Sequence, residues 1–185
     1  MTGHLASPVV TAIRLDGDAA AAVIKDDLRG RISSLAGLGV TVGLGTLLVG
    51  DDGPSANYVG MKHRDAAELG IHAVDTRLGP DATSSDVSAA IAQLNADPQV
   101  HAYIVQYPFP KGLDYEALIM SMDPAKDADG LHPVNLGWLV MGREAPVACT
   151  PAGILRMLEH HGVEVAGRHV VVVGRGLTIG RPLAN

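Results

Sequence analysis

The stretch "SANYVGMKHRD", residues 55 to 65, places Tyr58 and Lys62 four positions apart. On a helix that spacing brings a phenol and an ammonium onto one face, one turn apart. Such a pair is either solvated surface or half of an acid–base device, in which the amine takes a proton from a reacting group and returns it. The chain contains few aromatic residues (four Tyr, one Trp, one Phe), so the placement of Tyr58 there asks for an explanation.

A second group lies near the C-terminal end, in "VVVVGRGLTIGRP". Gly174, Gly176 and Gly180 give G-x-G-x-x-x-G, one residue longer than the usual dinucleotide fingerprint. The first glycines permit a tight turn and close approach of backbone N–H groups to a pyrophosphate. Arg175, inside the turn, suits the extra phosphate that distinguishes NADP. Glycines after a strand are as often a plain turn; the four preceding valines and the helix-like pattern that follows favour the cofactor.

A third group comes from the middle of the chain. Gln106 ends the apolar run "VHAYIVQ", and the two prolines of "YPFP" fix the loop after it. Ligands in open α/β sheets bind beyond the carboxyl ends of strands. The segment "DPAKDADGLHPVN" then offers Asp123, Asp127 and Asp129. They lack the ligand number and glycine placement of a calcium-binding loop. A single aspartate holding a heterocycle by paired hydrogen bonds is the favoured alternative.

Other chemistries find less support. His63, His72 and His101 lie far apart, and the adjacent His160 and His161 diverge on a helix. With a single cysteine there is no zinc pattern. Cys149 has no assignable base and reads as structural, near a helix start. No G-x-S-x-G elbow is present.

The elements that must carry these groups alternate. Helical patterns cover "DGDAAAAVIKDDLRGRISSLAGLG", with Asp16 and Gly17 as turn or cap, then the Tyr58–Lys62 segment to Gly70, and "SSDVSAAIAQLNA". Between them "VTVGLGTLLVG", "IHAVDTRL" and "VHAYIVQ" read as strands. A short helix is expected at "DYEALIMSM", and an irregular loop at "DPAKDADGLHPVN". "CTPAGILRMLEHHG" reads as a helix with Thr150 as cap and Pro151 at its first position. A last strand is expected at "RHVVVV", followed by the glycine turn and a helix start. The alternation predicts an α/β fold with a mostly parallel sheet.

A boundary is expected near residue 145, dividing a catalytic domain (1–145) from the beginning of a dinucleotide-binding domain (146–185). One strand and a helix stub do not make such a domain, so the chain is expected to be incomplete at its C-terminus. The glycine turn follows the Tyr–Lys pair, the reverse of the order in short-chain dehydrogenases, which disfavours that class.

Composition narrows the classes. The 185 residues are 47% hydrophobic, enough for a sizeable core, and the net charge of −6 disfavours a nucleic-acid-binding face. No run approaches the ~18 apolar residues of a membrane span. The single cysteine and the N-terminal "MTGHLASPVVTAIRLDG", without a basic and then apolar leader, suggest a cytoplasmic protein with no targeting segment.

Taken together, "SANYVGMKHRDAAELGI", "YIVQYPFPK", "DPAKDADGLHPVNLGWL", "CTPAGILRML" and "VVVVGRGLTIGRP" resemble the bifunctional methylenetetrahydrofolate dehydrogenase/cyclohydrolase family. The five blocks stand in the family's order and span nearly all of the chain. The resemblance implies an N-terminal three-layer α/β catalytic domain with a parallel-type sheet, followed by the start of a Rossmann NADP-binding domain, with the active cleft between them. It implies oxidation of 5,10-methylenetetrahydrofolate with NADP, then hydrolysis to 10-formyltetrahydrofolate, by a homodimer serving one-carbon metabolism and purine biosynthesis. By position, Lys62 matches the catalytic lysine, Tyr58 the tyrosine that stacks on the folate rings, and Gln106 the glutamine bonded to the lysine. Asp129 matches the aspartate that holds the pterin, and Gly174, Arg175 and Gly176 the cofactor turn. Three departures stand out. Tyr107 and Phe109 replace leucines, Gly176 replaces a frequent serine, and roughly the last third of the family's length is absent. Two rivals remain: a protein that binds folate or nucleotide without turnover, and an amino-acid-dehydrogenase-like enzyme of the same domain order.

Overall fold

Seven residues of one strand organise the molecule. β1 (Gly43–Val49) is buried along almost its whole length and lies at the centre of a three-stranded sheet of order β2-β1-β3. Its neighbours, β2 (His72–Leu78) and β3 (Ala102–Val105), both run parallel to it. A strand covered on both faces needs apolar residues at every position, which is what "GLGTLLV" supplies, Thr46 excepted. The computed structural model describes residues 12–185; most of the N-terminal stretch read as lacking a targeting segment lies outside them.

Helices form the outer layers. On one side α2 (Gly53–Leu69) packs against β1 and β2, with Ser55, Val59, Ala66 and Leu69 buried. α1 (Gly17–Gly37) lies against α2 and is tied to it where Lys25 bridges Asp65 and Glu68, each at 2.7 Å. On the other side α3 (Ser84–Ala96) and α4 (Tyr115–Ile119) share a core with alternate sheet residues, among them Leu47, Val49, Tyr103 and Val105. Period-two alternation therefore assigns each strand residue to a layer. Thr46 and Leu48 of β1, Asp75 and Arg77 of β2, and Ile104 and Gln106 at the end of β3 share the face covered by α2.

Local chemistry fixes the helix starts. Asp16 accepts from the backbone N–H of Asp18 and Ala19 at the head of α1. Asp52 accepts from Ser55 N at 2.9 Å at the head of α2, and Gly70, in the left-handed region, ends that helix. Thr83 and Asp86 form a reciprocal capping box on α3.

The structure departs from the sequence expectations in three places. The segment expected to be a loop contains a 3-10 turn (Pro124–Lys126) and a helix, α5 (Pro133–Val140), capped by the ring of His132 rather than by one of the usual capping side chains. α6 runs Cys149–His160, so Thr150 lies inside it; Ala148 holds the cap position without a side-chain bond. Pro151 is tolerated because first-turn N–H groups have no intrahelical partner. Finally, residues 170–173 form no strand. No neighbouring strand among the described residues accepts their ladder bonds, and Val173 is 98% exposed. The glycine turn follows, and then α7 (Gly180–Ala184).

Candidate active site

The candidate groups gather at the carboxyl end of the sheet. Lys62, midway along α2, donates from Nζ to Oε1 of Gln106 at 3.0 Å. Gln106 follows β3 directly and faces α2 by the strand alternation. Its amide is oriented from the other side, because Nε2 donates to the carbonyl of Tyr107 at 2.8 Å. The opposite assignment would set oxygen against oxygen, so Oε1 is the atom that meets the lysine. The Tyr107–Pro108 peptide that follows is cis.

Tyr58 lies one turn before Lys62 on α2, with 58% of its surface exposed. A large ring left open beside a polar cluster is a surface on which a flat ligand can stack.

Asp129 is brought in by a buried anchor. The carboxylate of Asp127, 2% exposed, accepts from Gly130 N at 3.0 Å, His132 N at 2.8 Å and Asn135 Nδ2 at 2.9 Å. Ala128 N donates to Tyr103 O at 3.1 Å, so the segment continues the edge of β3 for one bridge. These bonds hold the backbone on both sides of Asp129. Burial pushes the Asp129 carboxyl above its ordinary range, and the Lys62 ammonium opposes that shift. The two groups therefore lie in each other's field.

Cys149, at the start of α6, completes this side. Its thiol lies 3.4 Å from the Ala128 carbonyl and 3.6 Å from Asp129 Oδ1. Burial of the sulfur, together with the Asp129 charge, pushes the thiol up to about 11. The residue as a whole remains exposed at the surface. The two segments pass in close backbone contact: a Cβ on Gly130, whose φ is +64°, would lie 2.6–2.7 Å from backbone atoms of Pro146, Val147 and Ala148.

Gly174 and Gly176 lie apart from the lysine, in the turn before α7. Gly174 has φ +135°, and no atom lies within 4 Å of a Cβ built on either glycine. Gly180 is the opposite case, since its Cβ would meet the Gly174 carbonyl oxygen at 2.4 Å. The turn is thus closed tightly on the helix side and left open on the other, with Arg175 exposed on it. A pyrophosphate and a further phosphate fit such an opening. The turn, α4, α5 and the loop after β3 share a cavity of about 610 Å³ lined by Tyr107, Tyr115, Leu131, Leu136, Leu177 and Thr178. Tyr115 stands edge-on to both Tyr107 and Phe109, at 5.2 and 5.1 Å between centroids.

Two groups escaped the sequence reading. The sequence weighs Asp127 only for a calcium-binding loop, which it disfavours, and does not show its part as the buried acceptor for Gly130, His132 and Asn135. Cys149 reads from sequence as structural, near a helix start; only the spatial pairing of residues twenty apart reveals its contact with Asp129. No helix among the described residues is long and apolar enough to cross a membrane.

Comparison with known proteins follows the same lines. Residues 15–129 match the tetrahydrofolate dehydrogenase/cyclohydrolase catalytic domain, and residues 148–185 the NAD(P)-binding domain of that family. The bifunctional methylenetetrahydrofolate dehydrogenase/cyclohydrolase FolD of Campylobacter jejuni superposes with a TM-score of 0.89 at 34% identity, over 92% of this chain and 61% of that one. The Trypanosoma brucei FolD, solved with NADP and an inhibitor, gives 0.88 at 34% identity, over 94% and 60%. A methylenetetrahydrofolate dehydrogenase of the silkworm Bombyx mori gives 0.91 at 32% identity, again over 94% and 60%. The chain thus spans about 60% of the length of these solved relatives. On its sequence blocks, its parallel sheet and these matches, the chain belongs to the tetrahydrofolate dehydrogenase/cyclohydrolase family.

Proposed function

We propose that the chain performs the family's two reactions on folate. The first is NADP-dependent oxidation of 5,10-methylenetetrahydrofolate to 5,10-methenyltetrahydrofolate. The second is hydrolysis of that product to 10-formyltetrahydrofolate. The observation that carries this reading is the Lys62–Gln106 hydrogen bond at the carboxyl end of the sheet, with the Asp129 carboxylate in the field of the same ammonium. Support also comes from the Trypanosoma brucei relative, solved with NADP.

Each residue has a role in this proposal. The exposed ring of Tyr58 stacks on the folate rings, and the Asp129 carboxylate accepts hydrogen bonds from the pterin's N–H donors. Gln106 holds the Lys62 amine toward the reacting carbon. In the hydrolysis, Lys62 takes a proton from water as the water oxygen bonds to the methenyl carbon. The adduct collapses to the formyl group, the carbon–nitrogen bond to N5 breaks, and Lys62 returns its proton to N5. The remaining hydroxyl proton leaves to solvent. In the oxidation, the bridging methylene carbon would lose a hydride and become the methenyl cation, with no proton released at N5 or N10, while the Lys62 amine, held by Gln106, would orient that carbon. NADP bound at Gly174, Arg175 and Gly176 supplies the hydride acceptor.

On this reading residues 1–145 form the folate-binding catalytic domain and 146–185 the beginning of the cofactor domain. The protein works in the cytoplasm as a homodimer, feeds purine biosynthesis, and engages neither nucleic acid nor membrane. The net charge of −6 and the single cysteine support that setting.

The test is hydrolysis of methenyltetrahydrofolate by the parent chain and by Lys62→Met, with folate affinity measured alongside. The expected result is lost hydrolysis with folate affinity nearly kept. Equal rates in mutant and parent would remove Lys62 from the chemistry, and folate binding without turnover by the parent would favour the binding-only rival.

A further inference from the structure

The residue after Lys62 makes a contact that the proposed chemistry does not use. The ring nitrogen Nε2 of His63 lies 2.9 Å from the hydroxyl of Thr46, at the middle of β1. Thr46 is fully buried, the one polar side chain in the central strand. Its hydroxyl also lies 3.4 Å from Oδ1 of Asp75, its register partner on β2, and Asp75 Oδ2 accepts from Arg77 Nε at 2.8 Å. One assignment satisfies the whole series: Arg77 and Thr46 donate to Asp75, and His63 Nε2–H donates to Thr46. Consecutive residues of α2 therefore grip different strands. His63 holds β1, and Lys62 holds the residue that ends β3.

We infer that His63 is a positioning residue for Lys62. By anchoring α2 to the buried Thr46 hydroxyl, it sets the helix rotation that lets the amine reach Gln106. The inference rests on the reading of Lys62 as the proton carrier. Residues 62 and 63 lie about 100° apart around the helix axis, so side-chain bonds from both to two different strands resist rolling of α2 against the sheet more than the Lys62 bond does alone. Rolling that releases Lys62 from Gln106 also strips the Thr46 hydroxyl of a partner in a place water does not reach, which opposes the movement. The apolar contacts of Val59, Ala66 and Leu69 and the ion pairs of Asp65 and Glu68 with Lys25 hold α2 in place, and the His63 bond adds a directional restraint on the sheet side next to Lys62.

The experiment compares the parent with His63→Leu, His63→Gln and Thr46→Val, all with secondary structure checked by circular dichroism. The first readout needs no substrate: the rate at which N-acetoxysuccinimide acetylates Lys62, normalised to the exposed Lys111 in the same chain. Loss of the restraint frees the amine, so acetylation of Lys62 rises roughly threefold or more in His63→Leu and in Thr46→Val. In His63→Gln, whose amide can still donate to Thr46, it returns toward the parent rate. The second readout is methenyltetrahydrofolate hydrolysis, where kcat falls roughly tenfold in the first two variants while KM holds. Parental acetylation rates in folded His63→Leu and Thr46→Val overturn the inference, as does loss of secondary structure in both, which would make the contact part of the fold alone. Lys62→Met is run in parallel. If it hydrolyses normally, the reading of Lys62 as base falls, while the acetylation rates still decide whether His63 positions it.

Discussion

Lys62 and Gln106 lie 44 positions apart in sequence and meet at 3.0 Å, one from the middle of a helix and the other from the end of a strand. The bond gives the amine one direction, and Tyr107's carbonyl gives the amide its own. Gln106→Leu keeps the side-chain volume and removes the acceptor. We expect methenyltetrahydrofolate hydrolysis to fall by roughly tenfold to a hundredfold, because a reacting group displaced by about 1 Å loses rate on that scale. Folate affinity should change far less. Steady-state kinetics beside equilibrium titration checks the split.

Asp129 carries a cost in the fold that is expected to serve binding. Burial holds its folded pKa above the unfolded value, so the native state binds the proton more tightly. Stability at this site is therefore greatest at acid pH, is lost as pH rises through the window between the two values, and stays lost at neutrality. Asp129→Asn should raise the melting temperature at pH 7 and leave it unchanged below the ordinary carboxylate range. The same substitution should weaken folate binding by about 1.5–3 kcal/mol for each charge-assisted bond lost. Calorimetric melting across pH, with folate titration, tests both halves.

Cys149 is exposed at the surface yet should react slowly. With the thiol pushed up to about 11, the thiolate fraction at pH 8 is far below that of an ordinary cysteine. Alkylation by iodoacetamide at pH 8 should be roughly a hundredfold slower than that of free cysteine. Asp129→Asn should speed it, since the carboxylate's charge contributes to the shift. Mass spectrometry of timed reactions gives both rates.

The buried Asp127 is the structural counterpart of its neighbour. Asp127→Ala leaves three donors, from Gly130, His132 and Asn135, without their acceptor. We expect a loss of about 2–5 kcal/mol in urea unfolding. Asp127→Asn should not rescue it fully, because the amide turns an N–H toward donors that had faced Oδ2.

Much of this was legible in the sequence because it obeys local rules. The strands β1, β2 and β3 showed themselves as short apolar or alternating runs between turn residues, and α2 and α3 by their caps and spacing. The Tyr58–Lys62 pair was visible because helix geometry is periodic. α5 was hidden: His132 is not among the usual capping residues, and Gly137 interrupts the helical pattern, although Pro133 at the first turn was a readable sign. The valines at 170–173 misled in the other direction, since β propensity describes a fit to neighbouring strands and none accompanies them among the described residues. Cys149 beside Asp129 and His63 beside Thr46 were invisible because each depends on packing between separate elements. Thr46 still carried a hint, being a hydroxyl in the midst of an apolar strand.

The contact of Gly130 with the backbone of Pro146–Ala148 has a consequence for how this protein can vary. Because the chain returns to nearly the same point, residues 131–145 form a closed excursion with clasped ends. The separation of Asp129 from Cys149 is set at the clasp and not by the path between. Length can be added at the exposed bend around Gly142 and Arg143 for only the small entropic cost of a longer loop, without moving either side chain. A methyl group at Gly130, by contrast, would pry the two segments apart. The family's tolerance for insertion and its intolerance for substitution should therefore meet within a dozen or so residues of each other, on the two sides of one knot.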